Sequence, residues 1–338
     1  MRKTAILITG ANGEIGRGLI TALHKKNVEN IVALDLNQLD SSIAKLVSEE
    51  LAGNILDENL INQLNGEYEF INIYHLAALL STRAEFSPMS AHDVNVGGTM
   101  NLLNLALEQG RSQGKPVKFF FPSSIAVYGL KNAVEKQIAG TISEDRFLNP
   151  VTMYGCNKLY CEHIGTYYSR HYQRLGADEH RCYIDFRSIR FPGIISSTTI
   201  PTGGTSDYIP EMLHTAARGE TYKCFVEKDA KIPFMTMPDA VQAIQDIMAA
   251  PMKSLNQTVY NVRAFAPTAD EFRDKVIEAF PQAQIEYEVN EKRQNMVDSW
   301  PADTNDSAAR MDWRWNPQHD LETGMQEYLI PNVKKIYS

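Results

Sequence analysis

Thr4-Ala-Ile-Leu-Ile-Thr-Gly-Ala-Asn-Gly-Glu-Ile-Gly16 is the stretch on which the fold turns. Residues 4–9 are apolar and β-prone, and residues 14–25 carry Ile15, Leu19 and Leu23 on one helical stripe. Between them stand Gly10, Gly13 and Gly16, a G-x-x-G-x-x-G turn joining a strand to a helix. Glycines there permit a tight turn and a close approach of backbone to a pyrophosphate, whose charge the helix N-terminus favours. Glycines also simply make turns, so the strand–turn–helix context carries the reading.

The same rhythm continues outward. Strands are expected at 30–35, 70–75, 118–123 and 183–189, a short strand with its turn at 51–57, and helices at 90–109 and 152–173. Alternating strands and helices imply a parallel sheet covered on both faces: an α/β, doubly wound, Rossmann-like fold. After residue 190 the pattern loosens, with Phe191-Pro-Gly193 and Pro201-Thr-Gly-Gly204 and a further helix over 268–280. We therefore expect an NAD-binding domain over 1–190. A smaller C-terminal α/β substrate-binding portion over 191–338, with some segments returning to the sheet, is expected to pack over the ligand edge.

Asp35 closes the second strand, nineteen residues after Gly16. A carboxylate there accepts hydrogen bonds from the adenosine ribose and repels a 2′-phosphate, and neither Leu36 nor Asn37 offers a cation for one. NAD is expected over NADP. Tyr154 and Lys158 lie four residues apart, on one helix face. An ammonium beside a phenol stabilises the phenolate, which makes Tyr154 a candidate base. Ser123 and Ser124 end the fifth strand, at the carboxyl edge where such sheets bind ligands. A serine there also reads as a turn or helix cap; beside Tyr154 and Lys158 the catalytic reading of Ser124 leads.

Composition narrows the classes. The 338 residues carry a net charge of −8 and no lysine-rich run, which argues against a nucleic-acid partner. No apolar run reaches the roughly 20 residues that span a bilayer, and the N-terminus reads as a strand rather than a secretion signal. A cytoplasmic protein with no membrane partner is expected. The cysteines Cys156, Cys161, Cys182 and Cys224 form no C-x-x-C and the eight histidines are scattered, so no metal site is expected.

Taken together, the glycine turn, His75-Leu-Ala-Ala78, Asn95-Val-Gly-Gly-Thr99, Ser123-Ser124 and Tyr154/Lys158 resemble the extended short-chain dehydrogenase/reductase family. Leu79-Leu-Ser81, Arg190-Phe-Pro-Gly-Ile-Ile-Ser196, Gly203-Gly-Thr-Ser-Asp-Tyr208, Met237-Pro-Asp-Ala240 and Asp298-Ser-Trp-Pro301 resemble its short-chain type L-threonine 3-dehydrogenases, from residue 4 to about residue 320. The resemblance implies a catalytic set of Ser124, Tyr154 and Lys158. It implies NAD contacts from Gly10, Asn12, Gly13, Glu14, Ile15, Gly16, Asp35, Leu36, Asn54, Ile55, Leu76, Ala77, Ala78, Asn95, Tyr154, Lys158 and Phe191. Substrate contacts are implied for Ser81, Ser123, Ser124, Tyr154, Gly193, Thr205 and Trp300. Read without it, Ser81 is a loop hydroxyl, Thr205 a turn residue and Trp300 a buried aromatic.

The implied reaction is NAD-dependent oxidation of the 3-hydroxyl of L-threonine, by a homodimer paired through the 90–109 and 152–173 helices. The alternatives are a nucleotide-sugar epimerase or dehydratase, a dehydrogenase of another 3-hydroxy acid, and a nucleotide-sensing protein without chemistry. Asn54 stands where the family often has Asp, Thr236 where Tyr is expected, and Arg83 puts charge into a loop usually built of small residues.

Overall fold

The strand that opens the chain, β1 (Lys3–Thr9), is paired on both sides in a sheet of seven. In chain order the others are β2 (Ile31–Asp35), β3 (Glu49–Ala52), β4 (Tyr68–His75), β5 (Val117–Ser124), β6 (Ile184–Phe191) and β7 (Val259–Asn261). Their spatial order is β7-β6-β5-β4-β1-β2-β3, the chain running outward from β1 one way and then the other. The β1–β2, β2–β3, β1–β4 and β4–β5 pairings are parallel. The doubly wound α/β expectation holds, and the order reverses between β1 and β4, where such sheets open a ligand crevice. This computed structural model describes residues 2–176, 181–201 and 204–338.

The helices that matter for the site are α1 (Glu14–Lys25), α2 (Gly98–Gln113) and α3 (Met153–Arg170). α1 has the expected bounds, because Leu19, Ile20 and Leu23 form one buried stripe with Gly16. α2 starts later than the apolar period suggests. A π-helical turn, Asp93–Gly97, precedes it and holds the Asn95 side chain over the main chain of Leu79. The third strand, Glu49–Ala52, begins two residues before the expected 51, and its turn follows as expected. Asn54 Oδ1 accepts from Leu56 N–H, and Asp57 caps the helix Glu58–Glu67, which makes 54–57 that turn.

The chain divides into two compact units. The first comprises residues 1–123, 152–190 and 244–260. Its core packs Leu7, Val32, Phe70, Ile73, Leu102, Ala106, Phe119 and Phe186, with Phe186 stacked on Phe119 and Phe121 at 6.0 and 6.1 Å between ring centres. β6 is buried at every residue, as a central strand of a covered sheet must be, although it carries charges. Arg187 is paired with Asp185 there and also donates to the carbonyl of Ala250, so the guanidinium is compensated on several sides.

The second unit comprises residues 124–151, 191–243 and 261–338. It holds three short parallel pairs: Gly193–Ile195 with Phe234–Thr236, Thr221–Cys224 with Gln284–Tyr287, and Thr141–Ile142 with Asp303–Thr304. The helix Ala269–Ala279 begins with a capping box of Thr268 and Glu271, within the expected 268–280.

Candidate active site

The glycine turn is built by close approach. Gly10 has φ +67°, and a Cβ there would stand 2.6 Å from Ala77 N. A Cβ on Gly16 would stand 2.6 Å from both Gly10 O and Ala11 O. Only glycine fits either position. No side chain caps α1, so its first-turn N–H groups are left for an anion. Asp35 Oδ2 accepts from Asn12 N–H at 2.9 Å, and Asp35 Oδ1 from Asn37 N–H at 3.3 Å. The Asn12 side chain bonds Gln38 O and Asp40 N–H, so it pins the loop after β2 to the glycine turn. Leu36 is 68% exposed at that loop. A backbone cradle, an uncapped helix end and a carboxylate held at the neighbouring strand end fit a dinucleotide lacking a 2′-phosphate.

Other cofactor candidates prove to be supports. Ile55 is buried in the core, where its side chain fills the space above Gly98. Asn95 is 3% exposed; its amide group donates to Leu79 O and its oxygen accepts from Leu79 N–H. It thus fixes the segment that follows Leu76, Ala77 and Ala78. Leu76 N–H donates to Thr9 O, and Ala77 N–H to Thr9 Oγ1.

α3 carries Tyr154 and Lys158 and is capped by Thr152, whose hydroxyl accepts from Gly155 N–H. Lys158 is 3% exposed; its Nζ donates to Pro122 O at 2.6 Å and lies 4.5 Å from the Phe121 ring centre and 5.4 Å from that of Tyr154. Burial pulls the lysine down to about 8. Tyr154 departs from expectation: loss of solvation pushes its phenol up, not down. The ammonium lies toward the ring and a strand carbonyl, and desolvation outweighs its influence.

Ser123 is 2% exposed, and its hydroxyl donates to Glu162 Oε1 at 2.5 Å. Glu162 also receives a fork from Arg190: Nε to Oε1 at 2.8 Å and Nη2 to Oε2 at 2.7 Å. Arg190 therefore pairs with a carboxylate, and the Ser123 hydroxyl is committed to that pair rather than to a ligand. Sequence reasoning missed Glu162, because its partners lie 28 and 39 residues away in the chain and no local spacing signals them. Ser81 opens a short helix, Ser81–Phe86, and is half-buried. Glu85 of that helix accepts from Met153 N–H at 3.4 Å, beside Tyr154 in the chain, while Arg83 is exposed.

The second unit contains Ser124, Phe191, Gly193, Thr205 and Trp300. Ser124 Oγ accepts from Ala126 N–H at 3.2 Å, which leaves its own proton available to a ligand oxygen. Capping and catalysis are compatible in this residue. Tyr128 is fully buried and donates to Asn261, a packing role. Gly193 is held against the Phe234 ring, which a Cβ would meet at 2.4 Å. Trp300 is 5% exposed, and its indole N–H is buried without a partner among the described residues. Trp315, 1% exposed, also keeps a buried indole N–H without a partner among the described residues, so the feature is shared. Thr205 is half-buried beside Gly204, whose N–H donates to Asp207 and whose carbonyl accepts from Arg293; Gly203 lies outside the described residues. Thr236, in place of the expected Tyr, is fully buried with its hydroxyl on Asp239 and near His319 Nδ1. Among the described residues no three His, Cys, Asp or Glu side chains are grouped to hold a metal, and no helix is long and apolar enough to cross a membrane.

Comparison with known proteins agrees with this geometry. A family model described as the NAD dependent epimerase/dehydratase family matches residues 6–262. The chain is 32% identical over 317 residues to the mitochondrial L-threonine 3-dehydrogenase of Bos taurus, covering 94% of this chain and 79% of that protein. A monomeric L-threonine 3-dehydrogenase from a metagenome database, solved in its apo form, superposes with a TM-score of 0.84 at 34% identity, covering 98% of this chain and all 100% of that one. The L-threonine 3-dehydrogenase of Trypanosoma brucei superposes with a TM-score of 0.85 at 32% identity, covering 98% of both chains. The chain belongs to the NAD dependent epimerase/dehydratase family, and it is an NAD-dependent dehydrogenase of the short-chain type.

Proposed function

We propose that the protein oxidises the 3-hydroxyl of L-threonine to 2-amino-3-oxobutanoate. The observation that carries this reading is the extent of the similarity. Threonine dehydrogenases match 94–98% of the chain at 32–34% identity, whereas the dinucleotide motifs alone would fit many chemistries.

The glycine turn and Asp35 would hold NAD, which supplies the hydride acceptor, C4 of its nicotinamide. Tyr154, as phenolate, takes the proton of the 3-hydroxyl while hydride leaves the same carbon. Ser124 donates its O–H to that oxygen as it becomes a carbonyl. Lys158, whose ammonium lies 5.4 Å from the Tyr154 ring centre and is held by Pro122 O, is proposed to favour the phenolate by its charge and to bond the nicotinamide ribose. Ser81, Gly193, Thr205 and Trp300 are the proposed substrate contacts. The proposal extends to a cytoplasmic homodimer paired through α2 and α3, where Tyr160 and Tyr167 are exposed.

A sugar-nucleotide reading would need late cations for a diphosphate. Of the candidates Lys228, Lys231 and Arg263, the last already lies 3.2 Å from Asp303. The test is a panel of L-threonine, L-serine, other 3-hydroxy acids and UDP-sugars scored by NADH formation. Threonine is expected to lead; conversion of a UDP-sugar without net NADH would overturn the assignment.

A further inference from the structure

Behind the glycine turn lies a chain of buried polar groups that the chemistry above does not use. Thr9 Oγ1 is 3.0 Å from His75 Nδ1, and His75 Nε2 is 2.9 Å from Thr99 Oγ1. Thr99 Oγ1 is 2.6 Å from Asn95 O, and Asn95 Nδ2 is 3.3 Å from Asn157 Oδ1 on α3, the residue before Lys158. Thr9, His75, Thr99, Asn95 and Asn157 are all at most 3% exposed. Such a chain has to be satisfied internally.

The donors can be assigned by counting protons. Asn95 O can only accept, so the single hydroxyl proton of Thr99 goes to it. Toward His75, Thr99 is then an acceptor, which places the imidazole proton on Nε2. Nδ1 must accept, and it accepts the hydroxyl proton of Thr9. Thr9 Oγ1 in turn accepts from Ala77 N–H. The direction is fixed from Ala77 through Thr9, His75 and Thr99 to Asn95.

We propose that His75, held as its neutral Nε2–H tautomer, is a positioning residue that locks the glycine turn and the Ala77–Leu79 floor of the NAD site in register with the catalytic helix. One end of the relay is the residue before Gly10 and the N–H of the residue against which Gly10 packs. The other is the asparagine that holds Leu79 and reaches α3. A doubly protonated ring would have no acceptor for the Thr9 hydroxyl; burial opposes that form by pulling the imidazole down to about 3. The proposal rests on the NAD site and not on threonine as the substrate.

Two measurements test it. In nitrogen-15 NMR of the protein with and without NADH, His75 (assigned by its loss in His75→Gln) should show a bare Nδ1 and a protonated Nε2. A protonated Nδ1 overturns the proposal whatever any variant does. Thr99→Val removes one link while keeping the shape. It should raise the Kd of NADH, followed by its fluorescence, about tenfold, the size of one buried hydrogen bond, and Thr99→Ser should restore it. A lowered Tm with unchanged NADH affinity would show that the chain only stabilises the fold. NADH binding requires no substrate, so the outcome is independent of which alcohol is oxidised.

Discussion

The glycine turn and the β5–α3 end of the same sheet are built by opposite means. At the turn the backbone does the work: Gly10 and Gly16 exist because no Cβ fits, and the contacts are amides and carbonyls. At β5–α3 side chains do it, through Lys158 on Pro122 O and Ser123 and Arg190 on Glu162. A backbone site is written in residue type at short spacing. A side-chain site depends on partners tens of residues away, and two adjacent serines can have unlike roles.

The sharpest contrast is chemical. Tyr154→Phe should cut turnover by roughly 10³-fold, within the range for removing a general base, while NADH still binds; activity near the parental level would remove Tyr154 from the role. At the turn the effect should be reversed in kind. Gly10→Ala meets Ala77 N at 2.6 Å in a left-handed conformation, and strain of about 1–3 kcal/mol should appear as lost NADH affinity and lost stability together. Unchanged affinity would show that the backbone cradle is not needed.

Adjacent serines refine the comparison. Ser124→Ala should lower kcat about 100- to 1,000-fold with little change in Tm, as the loss of one oriented donor does. Ser123→Ala should instead cost about 1–3 kcal/mol of stability, because it leaves Glu162 short of a donor inside the fold. The reverse pattern would exchange their roles. The last contrast concerns pH. His75 is lowered to about 3 from an unfolded value near 6.5. Above pH 6.5 it is neutral in both states and contributes no slope. As pH falls from 6.5 toward 3 the unfolded chain takes up a proton that the folded one refuses, so stability declines through that window. Denaturant midpoints against pH should show this slope in the parent and less of it in His75→Gln.

Much of the sheet was legible because its signals are local: the α1 stripe, the run Phe119–Phe121 in β5, and Asp35 at the end of β2. The π turn before α2 was not, because it depends on the Asn95 amide reaching Leu79, sixteen residues back. The supporting bonds of Asn95 and Asn12 and the packing of Ile55 on Gly98 were not legible, since they depend on which atoms those side chains meet. Glu162 and Thr99 were missed for the same reason. The Tyr154–Lys158 spacing set the two on one helix face, yet spacing cannot show where an ammonium ends, and here it ends on a carbonyl.

Transfer of label tests the central claim most directly. L-threonine carrying deuterium at C3 is incubated with the protein and NAD, and the nicotinamide is read by proton NMR. The account predicts deuterium at C4 of the reduced ring, in step with the product formed. Unlabelled NADH, or none while a UDP-sugar is converted, would contradict it.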